Sequence, residues 1–329
     1  MKKQFIIIMG PTGVGKSDLV LSLGKELPIE IINGDIGSFY TPCTIGTAKP
    51  DWQHSSTPHH LFDIFDEPQD CTVADYRKII LEKLEEIWQR NKTPVIVGGS
   101  GFYLQSLFFP PQEILPQEIN QQEIIVAGNL SDNKNNVGSW QDLYNLDPER
   151  AHALDKNDQY RIDRALLLIQ KTGRKASDFK PVFNPPLGDA LIIFLTRDRQ
   201  ELYQRINERV EIMMQQGWIE EVTMLIKNGW AEFLERKKLI GYNDLIDYLK
   251  SLKKDDMLFL KKVVEVIQQK SRHYAKRQLT FWRSFNKMLK PFIENNKMIQ
   301  IHEINLSLNK SDKEYMSVIK NFINQPKRD

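Results

Sequence analysis

Gly10-Pro11-Thr12-Gly13-Val14-Gly15-Lys16-Ser17 follows the apolar run Phe5-Ile6-Ile7-Ile8-Met9 and leads into Leu19-Val20-Leu21-Ser22-Leu23. The order is strand, glycine loop, helix, the one context that gives the spacing G-x-x-x-x-G-K-[ST] its meaning. Glycines let successive backbone N–H groups curl around phosphate oxygens. The new helix adds its positive N-terminal end, Lys16 adds a point charge, and Ser17 is placed to hold Mg2+. An ordinary glycine-rich turn needs neither the lysine nor the hydroxyl at those positions. The stretch therefore predicts an α/β protein with a di- or triphosphate site, and leaves open which phosphate ester binds and whether a phosphoryl group moves.

The chain has 329 residues, enough for one large core and a smaller domain, and its 41% hydrophobic and 27% charged content is ordinary for a soluble protein. Cys43 and Cys71 form no C-x-x-C pair and join no Cys/His cluster at zinc spacing. That disfavours a disulfide framework or structural metal and suits a reducing, cytoplasmic setting. The first apolar run is too short for a signal peptide or membrane span, and no later run approaches about 18 apolar residues. Forty-five basic against 43 acidic residues leave a net charge of +2, so any nucleic-acid binding must come from local clustering.

Outward from the loop, Ile29-Glu30-Ile31-Ile32-Asn33 reads as a second buried parallel strand ending at Gly34-Asp35. Ligands of open parallel sheets sit at the carboxyl ends of strands, so Asp35 either points into the loop's crevice or caps its own turn. The Gly-, Pro- and Thr-rich run Tyr40 to Pro50 is a surface loop. His59-His60 project in different directions, making a poor metal pair and better local hydrogen-bonding groups. A crossover helix runs from Thr72 and Asp75 to Arg90, and Thr93-Pro94-Val95-Ile96-Val97 is a third strand. It ends in Gly98-Gly99-Ser100-Gly101-Phe102-Tyr103, where a phosphohydrolase would commonly carry a Mg2+-organising Asp. Ser100 offers a hydroxyl at the strand end or an N-cap for the next helix.

From Pro110-Pro111 the composition turns to Gln, Asn and Glu through Gln122 and again at residues 131–136. Short helices are expected at Trp140 to Leu146, Pro148 to Leu154 and Tyr160 to Ile169, a helical insertion in which Arg161 and Arg164 are solvated charges or phosphate ligands. Ala190 to Leu195 restores a strand, read as the fourth of the sheet. Asp198 starts a helix that buries Leu202, Ile206, Val210 and Met213. Arg205 and Arg209 lie one turn apart on it, as ion-pair partners or as ligands. Helical pattern continues to Trp230, breaks near Gly241-Tyr242 and resumes from Met257 to about Phe285. There Arg272, Lys276 and Arg283 fall within about 40 degrees of one another, with His273, Arg277, Gln278 and Trp282 alongside. No acid balances them between Arg272 and Phe285, so the face is either solvated or bound to nucleic acid. Ile299 to His302 is a final strand, and the tail from Pro326 is expected to fray. The fold expected is a P-loop NTPase-like parallel sheet flanked by helices over 1–109 and 186–329, with a small helical domain inserted at 110–185.

Taken together, these residues resemble the bacterial tRNA dimethylallyltransferase family, which prenylates an adenosine next to the anticodon. The resemblance runs almost end to end. It is carried by Gly10 to Ser17, Ile45-Gly46-Thr47-Ala48-Lys49-Pro50, His59-His60-Leu61, Gly98 to Tyr103, Arg161 with Arg164-Ala165-Leu166, Arg205-Ile206 with Arg209-Val210, Gly241-Tyr242, and Tyr274-Ala275-Lys276-Arg277-Gln278. It implies that Gly10, Pro11, Thr12, Gly13, Val14, Gly15, Lys16 and Ser17 hold the diphosphate of dimethylallyl diphosphate, with Arg205 and Arg209 nearby and Mg2+ on Ser17. It implies that Asp35 is the base acting on the adenine amine and that Ser100 steadies the reacting site. It further implies a tRNA anticodon stem-loop partner met by Ile36, Gly37, Ser38, Tyr160, Arg161, Ile162, Asp163, Arg164, Lys276, Arg277, Gln278 and Arg283, in a cytoplasmic, monomeric enzyme that does not meet a membrane. The family's Asp-Ser-x-Gln-x-Tyr stands here as Asp35-Ile36-Gly37-Ser38-Phe39-Tyr40, and its usual Thr as Ser100.

The residues are also compatible with a small-molecule or nucleotide kinase, which would not need the basic helix. A non-catalytic RNA-binding P-loop protein would not need Asp35. A prenyltransferase acting on free adenine nucleotides is the third alternative.

Overall fold

β1 (Gln4–Met9) is buried along its whole length, as a central parallel strand covered on both faces must be, and Phe5 to Met9 send apolar side chains in both directions. The computed structural model describes residues 3–111, 137–252, 256–295, 298–308 and 313–325. The Gln- and Asn-rich stretches up to Gln122 and at 131–136, and the tail from Pro326, lie outside the described residues. The chain divides into two units, one of Met1–Phe108 with Pro185–Asp329 and one of Phe109–Asn184.

In the larger unit, β1 leads through α1 (Lys16–Gly24) to β2 (Ile29–Asn33), β3 (His59–His60), α2 (Val73–Gln89), β4 (Thr93–Gly98) and α3 (Gly101–Gln105). Among the described residues six strands form one sheet in the order β3-β2-β4-β1-β5-β6, every neighbouring pair parallel. This is the P-loop NTPase-like sheet flanked by helices that the sequence predicts. Ile6 pairs with Val95 on one side and Leu191 on the other, so β1 is the axis of the sheet. Val14, Leu19 and Leu23 pack with Ile6, Ile8, Ile193 and Leu195 in the core beneath the loop.

The strand count differs from the sequence expectation. Ala190 to Leu195 belongs to β5 (Asp189–Thr196), the fifth strand of the chain, because His59-His60 makes a two-residue edge strand beside β2. Two residues carry no periodicity, and this pairing is supported by side chains instead. His60 Nε2 lies 2.7 Å from Glu30 Oε2, and Arg90 grips the buried Glu30 through one edge of its guanidinium, Nε and Nη2 donating at 3.0 and 2.7 Å.

After β5 come α7 (Arg199–Gln215), α8 (Trp218–Lys227), α9 (Ala231–Lys237), α10 (Tyr242–Lys250), α11 (Met257–Asn295), β6 (Ile299–Asn305) and α12 (Lys313–Ile323). Gly217, left-handed at φ 94°, separates α7 from α8, where the apolar pattern suggested one continuous helix. Conversely α11 does not stop near Phe285 but runs through Pro291. A proline usually ends a helix, yet Trp282, Phe285 and Leu289 are all buried there, and packing outweighs local propensity.

The smaller unit carries α4 (Trp140–Leu146), α5 (Pro148–His152) and α6 (Gln159–Thr172). Ser139 and Asp142 close a capping box on α4. Buried Asp147 accepts from the N–H groups of Arg150 and Ser177 at 3.0 and 2.7 Å. Leu143, Ala151, Ala165, Leu166 and Ala176 form its core, and Ile162 is part of it, 0% exposed.

Candidate active site

The carboxyl ends of β1, β2 and β4 open into a cavity of about 970 Å³, lined by Thr12 to Ser17, Asn33, Asp35 to Ser38, Ser100, Arg205, Arg209, Tyr274 and Gln278 among others. One wall is the phosphate-binding loop. Its carbonyls are turned outward and held by cations. Lys16 Nζ donates to the carbonyls of Gly10 and Pro11 at 3.0 and 3.1 Å, and Arg205 Nε donates to that of Gly13 at 2.9 Å. Arg209 Nη1 reaches the Thr12 hydroxyl at 3.2 Å. Arg205 and Arg209, read from the sequence as either ion-pair partners or ligands, thus both sit on the loop. Burial pushes the Lys16 ammonium down to about 8, with the Asp35 charge opposing that fall and Arg209 adding to it. Arg209 is lowered by burial too, against the pull of Asp35 and Asp18.

Asp35 forms the opposite wall. Its Oδ1 accepts from the Gly99 N–H at 2.6 Å and from the Ser100 hydroxyl at 3.1 Å. Both bonds from the described residues go to Oδ1, which leaves Oδ2 for a ligand. The carboxylate makes no cap to the turn that follows it. Asn33 organises that turn instead, accepting the Asp35 N–H at 2.9 Å and donating to the carbonyls of Asp35 and Leu61. Of the two readings of Asp35, the structure selects the one facing the crevice. Ser100 is resolved in the same way: it stands at the start of α3 without a side-chain cap, and its Oγ accepts the Ile36 N–H at 3.3 Å. Glycine is required at 98, because a Cβ there would lie 2.3 Å from the backbone of Gly34, and this close approach brings Asp35 to Gly99.

Ile36 and Gly37 are half-buried at the cavity edge, whereas Ser38 is buried. On α11, Lys276, Arg277 and Arg283 are exposed, with the Arg277 guanidinium 5.6 Å from the Tyr274 ring centre. Three neighbours also make contacts within the protein. Gln278, grouped with the RNA-binding residues, accepts from Thr12 N–H at 2.8 Å and donates to the Gly99 carbonyl at 3.0 Å, bridging the two walls. Arg272 donates to Asn207 at 2.5 Å, and Trp282 stacks on Phe194 and donates to Glu303. In the smaller unit, Tyr160, Arg161 and Arg164 are exposed. Asp163 accepts from Val137 N–H and Gln159. The Ile162 side chain is buried in the core of its unit, so any contact it makes with a ligand is through its backbone.

The sequence reading missed the residues that hold the loop from Tyr40 to Pro50. Glu221 accepts the N–H groups of Thr44, Ile45 and Gly46 at 2.9, 2.5 and 3.2 Å and the Tyr242 hydroxyl at 2.8 Å. Lys49, nearly inaccessible, donates to the Tyr40 and Thr41 carbonyls and pairs with Asp63. A glutamate on an amphipathic helix gives no local sign that it will cap a distant loop.

A glycine loop with Lys16 thus faces an anchored carboxylate across one cavity at the end of a parallel sheet, and the relatives of this α/β chain are transferases. The chain belongs to the IPP transferase family, whose model matches residues 38–285. It is 36% identical over 288 residues to the tRNA dimethylallyltransferase of Alkaliphilus oremlandii, covering 87% of this chain and 90% of the relative. It is 39% identical over 286 residues to that of Limosilactobacillus reuteri, covering 85% and 90%. Among solved structures it is similar to a eukaryotic dimethylallyltransferase acting on tRNA, with TM-score 0.78, 26% identity, and 99% and 81% of the two chains covered. The tRNA isopentenylpyrophosphate transferase of Bacillus halodurans matches with TM-score 0.65, 28% identity, and 98% and 97% covered.

Proposed function

We propose that this chain transfers the dimethylallyl group of dimethylallyl diphosphate to the exocyclic N6 amine of the adenosine 3′ to the anticodon of tRNA, releasing diphosphate. Its family membership and its tRNA dimethylallyltransferase relatives support that activity. The observation that carries the site assignment is Asp35, anchored through Oδ1 with Oδ2 open to the cavity that Lys16 and Arg209 share.

The adenine amine is a weak nucleophile because its lone pair is delocalised into the ring. As N6 bonds to the allylic carbon, its proton passes to Asp35 Oδ2, and a positioned base of this kind contributes about 10^2 to 10^4-fold. The C–O bond to the leaving group breaks with its electron pair going to the diphosphate. That growing charge is met by the loop's N–H groups, Lys16, Arg205 and Arg209. Ser17 is the one loop hydroxyl suited to Mg2+, which keeps several waters and shares phosphate oxygens with few protein ligands. The metal would supply further charge neutralisation on the diphosphate.

Reaching N6 requires turning the base out of its stack, at a cost of a few kcal/mol. Lys276, Arg277 and Arg283, with Ile36 and Gly37 at the cavity edge, are the groups of the larger unit that take the anticodon loop. Tyr160, Arg161 and Arg164 take the stem. Gln278 serves the reaction by holding the two walls together. No helix among the described residues is long and apolar enough to cross a membrane, and both cysteines are free and buried, which suits a cytoplasmic enzyme.

The test is labelled dimethylallyl diphosphate offered with tRNA, with AMP and with neither, ATP consumption followed in parallel. Label entering tRNA alone supports the reading. Label entering AMP, or ATP consumed without prenyl transfer, selects one of the alternatives. In single-turnover reactions with saturating donor, Asp35→Asn should lower the rate by about 10^2 or more. Near-wild-type chemistry in that variant would remove the carboxylate from the mechanism.

A further inference from the structure

We infer that Arg197, Glu201 and Ser307 form a relay that sets the shape of the phosphate-binding loop from outside, and through it the grip on the donor's diphosphate. The inference rests on the diphosphate reading of the loop given above. Arg197 follows the last residue of β5, and its Nε donates to the Val14 carbonyl at 2.8 Å. Its Nη1 is paired with Glu201 Oε1, one turn along in α7. The other oxygen of Glu201 accepts from the Ser307 hydroxyl at 2.5 Å, and Ser307 Oγ in turn accepts the Asp198 N–H at 2.9 Å. Ser307 is fixed beyond β6, where Leu306 N–H donates to the Thr196 carbonyl at 2.9 Å and Asn305 donates to Asp198 at 3.0 Å. A continuous series of hydrogen bonds therefore runs from the turn after β6 to the backbone of the loop.

The consequence follows from the planarity of the peptide bond. A trans peptide points its C=O and its N–H in opposite directions. With the Val14 carbonyl drawn outward to Arg197, the N–H of Gly15 on the same peptide is turned the other way, the sense in which a loop of this kind meets phosphate oxygens. Gly15 holds φ 106°, a left-handed conformation that other residues resist, and Arg197 Nη2 would lie 3.5 Å from any Cβ placed there. The Arg197 charge is offset by Glu201, and its side chain is only 16% exposed. It acts on the loop's geometry, while Lys16, Arg205 and Arg209 supply the field. Arg197 is thus a positioning residue for the diphosphate, with Glu201 and Ser307 orienting it.

The experiment measures binding of inorganic diphosphate with Mg2+ by calorimetry, beside tRNA affinity and thermal midpoint, for wild type, Arg197→Met, Arg197→Lys and Ser307→Ala. Arg197→Met should weaken diphosphate binding about tenfold, the loss of one charge-assisted bond. Ser307→Ala should weaken it less, by about threefold, because Arg197 keeps its direct bond to Val14 while losing its orientation. Arg197→Lys should recover part of the loss, a lysine keeping the charge but not the two-edged geometry. Affinity for tRNA and the thermal midpoint should stay near wild type in Ser307→Ala. Wild-type diphosphate affinity in both Arg197→Met and Ser307→Ala would overturn the relay. So would a parallel loss of diphosphate affinity, tRNA affinity and thermal midpoint in Ser307→Ala, which would mark a merely structural role. Wild-type protein unable to bind diphosphate would overturn the loop reading itself.

Discussion

The Ser100 hydroxyl stands 3.1 Å from Asp35 Oδ1 while accepting the Ile36 N–H at 3.3 Å, so one side chain at the end of β4 fixes both the carboxylate and the backbone beside it. Removing it leaves Asp35 Oδ1 with the Gly99 N–H alone. Ser100→Ala should lower single-turnover prenylation by about tenfold, the worth of one hydrogen bond to a charged group, with little change in donor or tRNA affinity. Ser100→Thr keeps the hydroxyl and should stay within about threefold of wild type. Equal rates for Ser100→Ala and wild type would show that Gly99 suffices.

The lowered pKa of Lys16 has a signature in proton linkage. The free loop loses this proton as pH rises through about 8, whereas a bound diphosphate favours the charged ammonium. Donor affinity should therefore decline above that pH. Binding near about pH 9 should take up a proton that Lys16→Met does not take up, seen by calorimetry in two buffers of different ionisation heat. The sign for folding is opposite to that of a paired lysine. Between about 8 and 10.5 the unfolded chain still holds the proton that the folded chain has released, so this group makes stability rise with pH across that window.

The exposed face of α11 predicts a salt dependence. Replacing Lys276 and Arg283 by Gln should lower tRNA affinity and reduce the slope of log K against log salt by about 0.7 to 0.9 for each phosphate no longer neutralised. Changing Arg272, whose guanidinium is engaged with Asn207, should leave the slope unchanged. A slope unaltered by the double substitution would mean that the face is only solvated.

Glu221 should matter more to stability than an ordinary helix glutamate. Alanine there leaves three backbone N–H groups and the Tyr242 hydroxyl without their acceptor. The expected loss is about 3 kcal/mol in urea unfolding, with Glu221→Gln closer to half of that because one acceptor oxygen survives. A change below about 0.5 kcal/mol in Glu221→Ala would show that the loop is held by Lys49 and Asp63 alone.

What the amino-acid order determined by itself is local. Apolar Phe5 to Met9, the glycine loop and Lys16-Ser17 specify a strand, a glycine turn and a helix within one short stretch, so the parallel sheet and the loop at its carboxyl end were legible before any tertiary packing. The apolar spacing of Leu202, Ile206, Val210 and Met213 likewise marked the buried side of α7. Tertiary structure decided the rest, because the deciding bonds join backbone groups far apart in the chain. Asp35 turns from its own turn toward the cavity only when Gly99, 64 residues later, presents its N–H. Gln278 bridges the two walls of the cavity because Thr12, 266 residues away, donates its N–H to the side-chain carbonyl. Ile162 sits in a charged helical segment whose inner side is set by the unit's own core, and His59-His60 becomes a strand only beside β2. Periodicity records which face of an element is apolar. Which distant donor and acceptor meet at the end of a strand depends on how the strands are ordered in the sheet, and β4 lies between β1 and β2 only once the chain has folded.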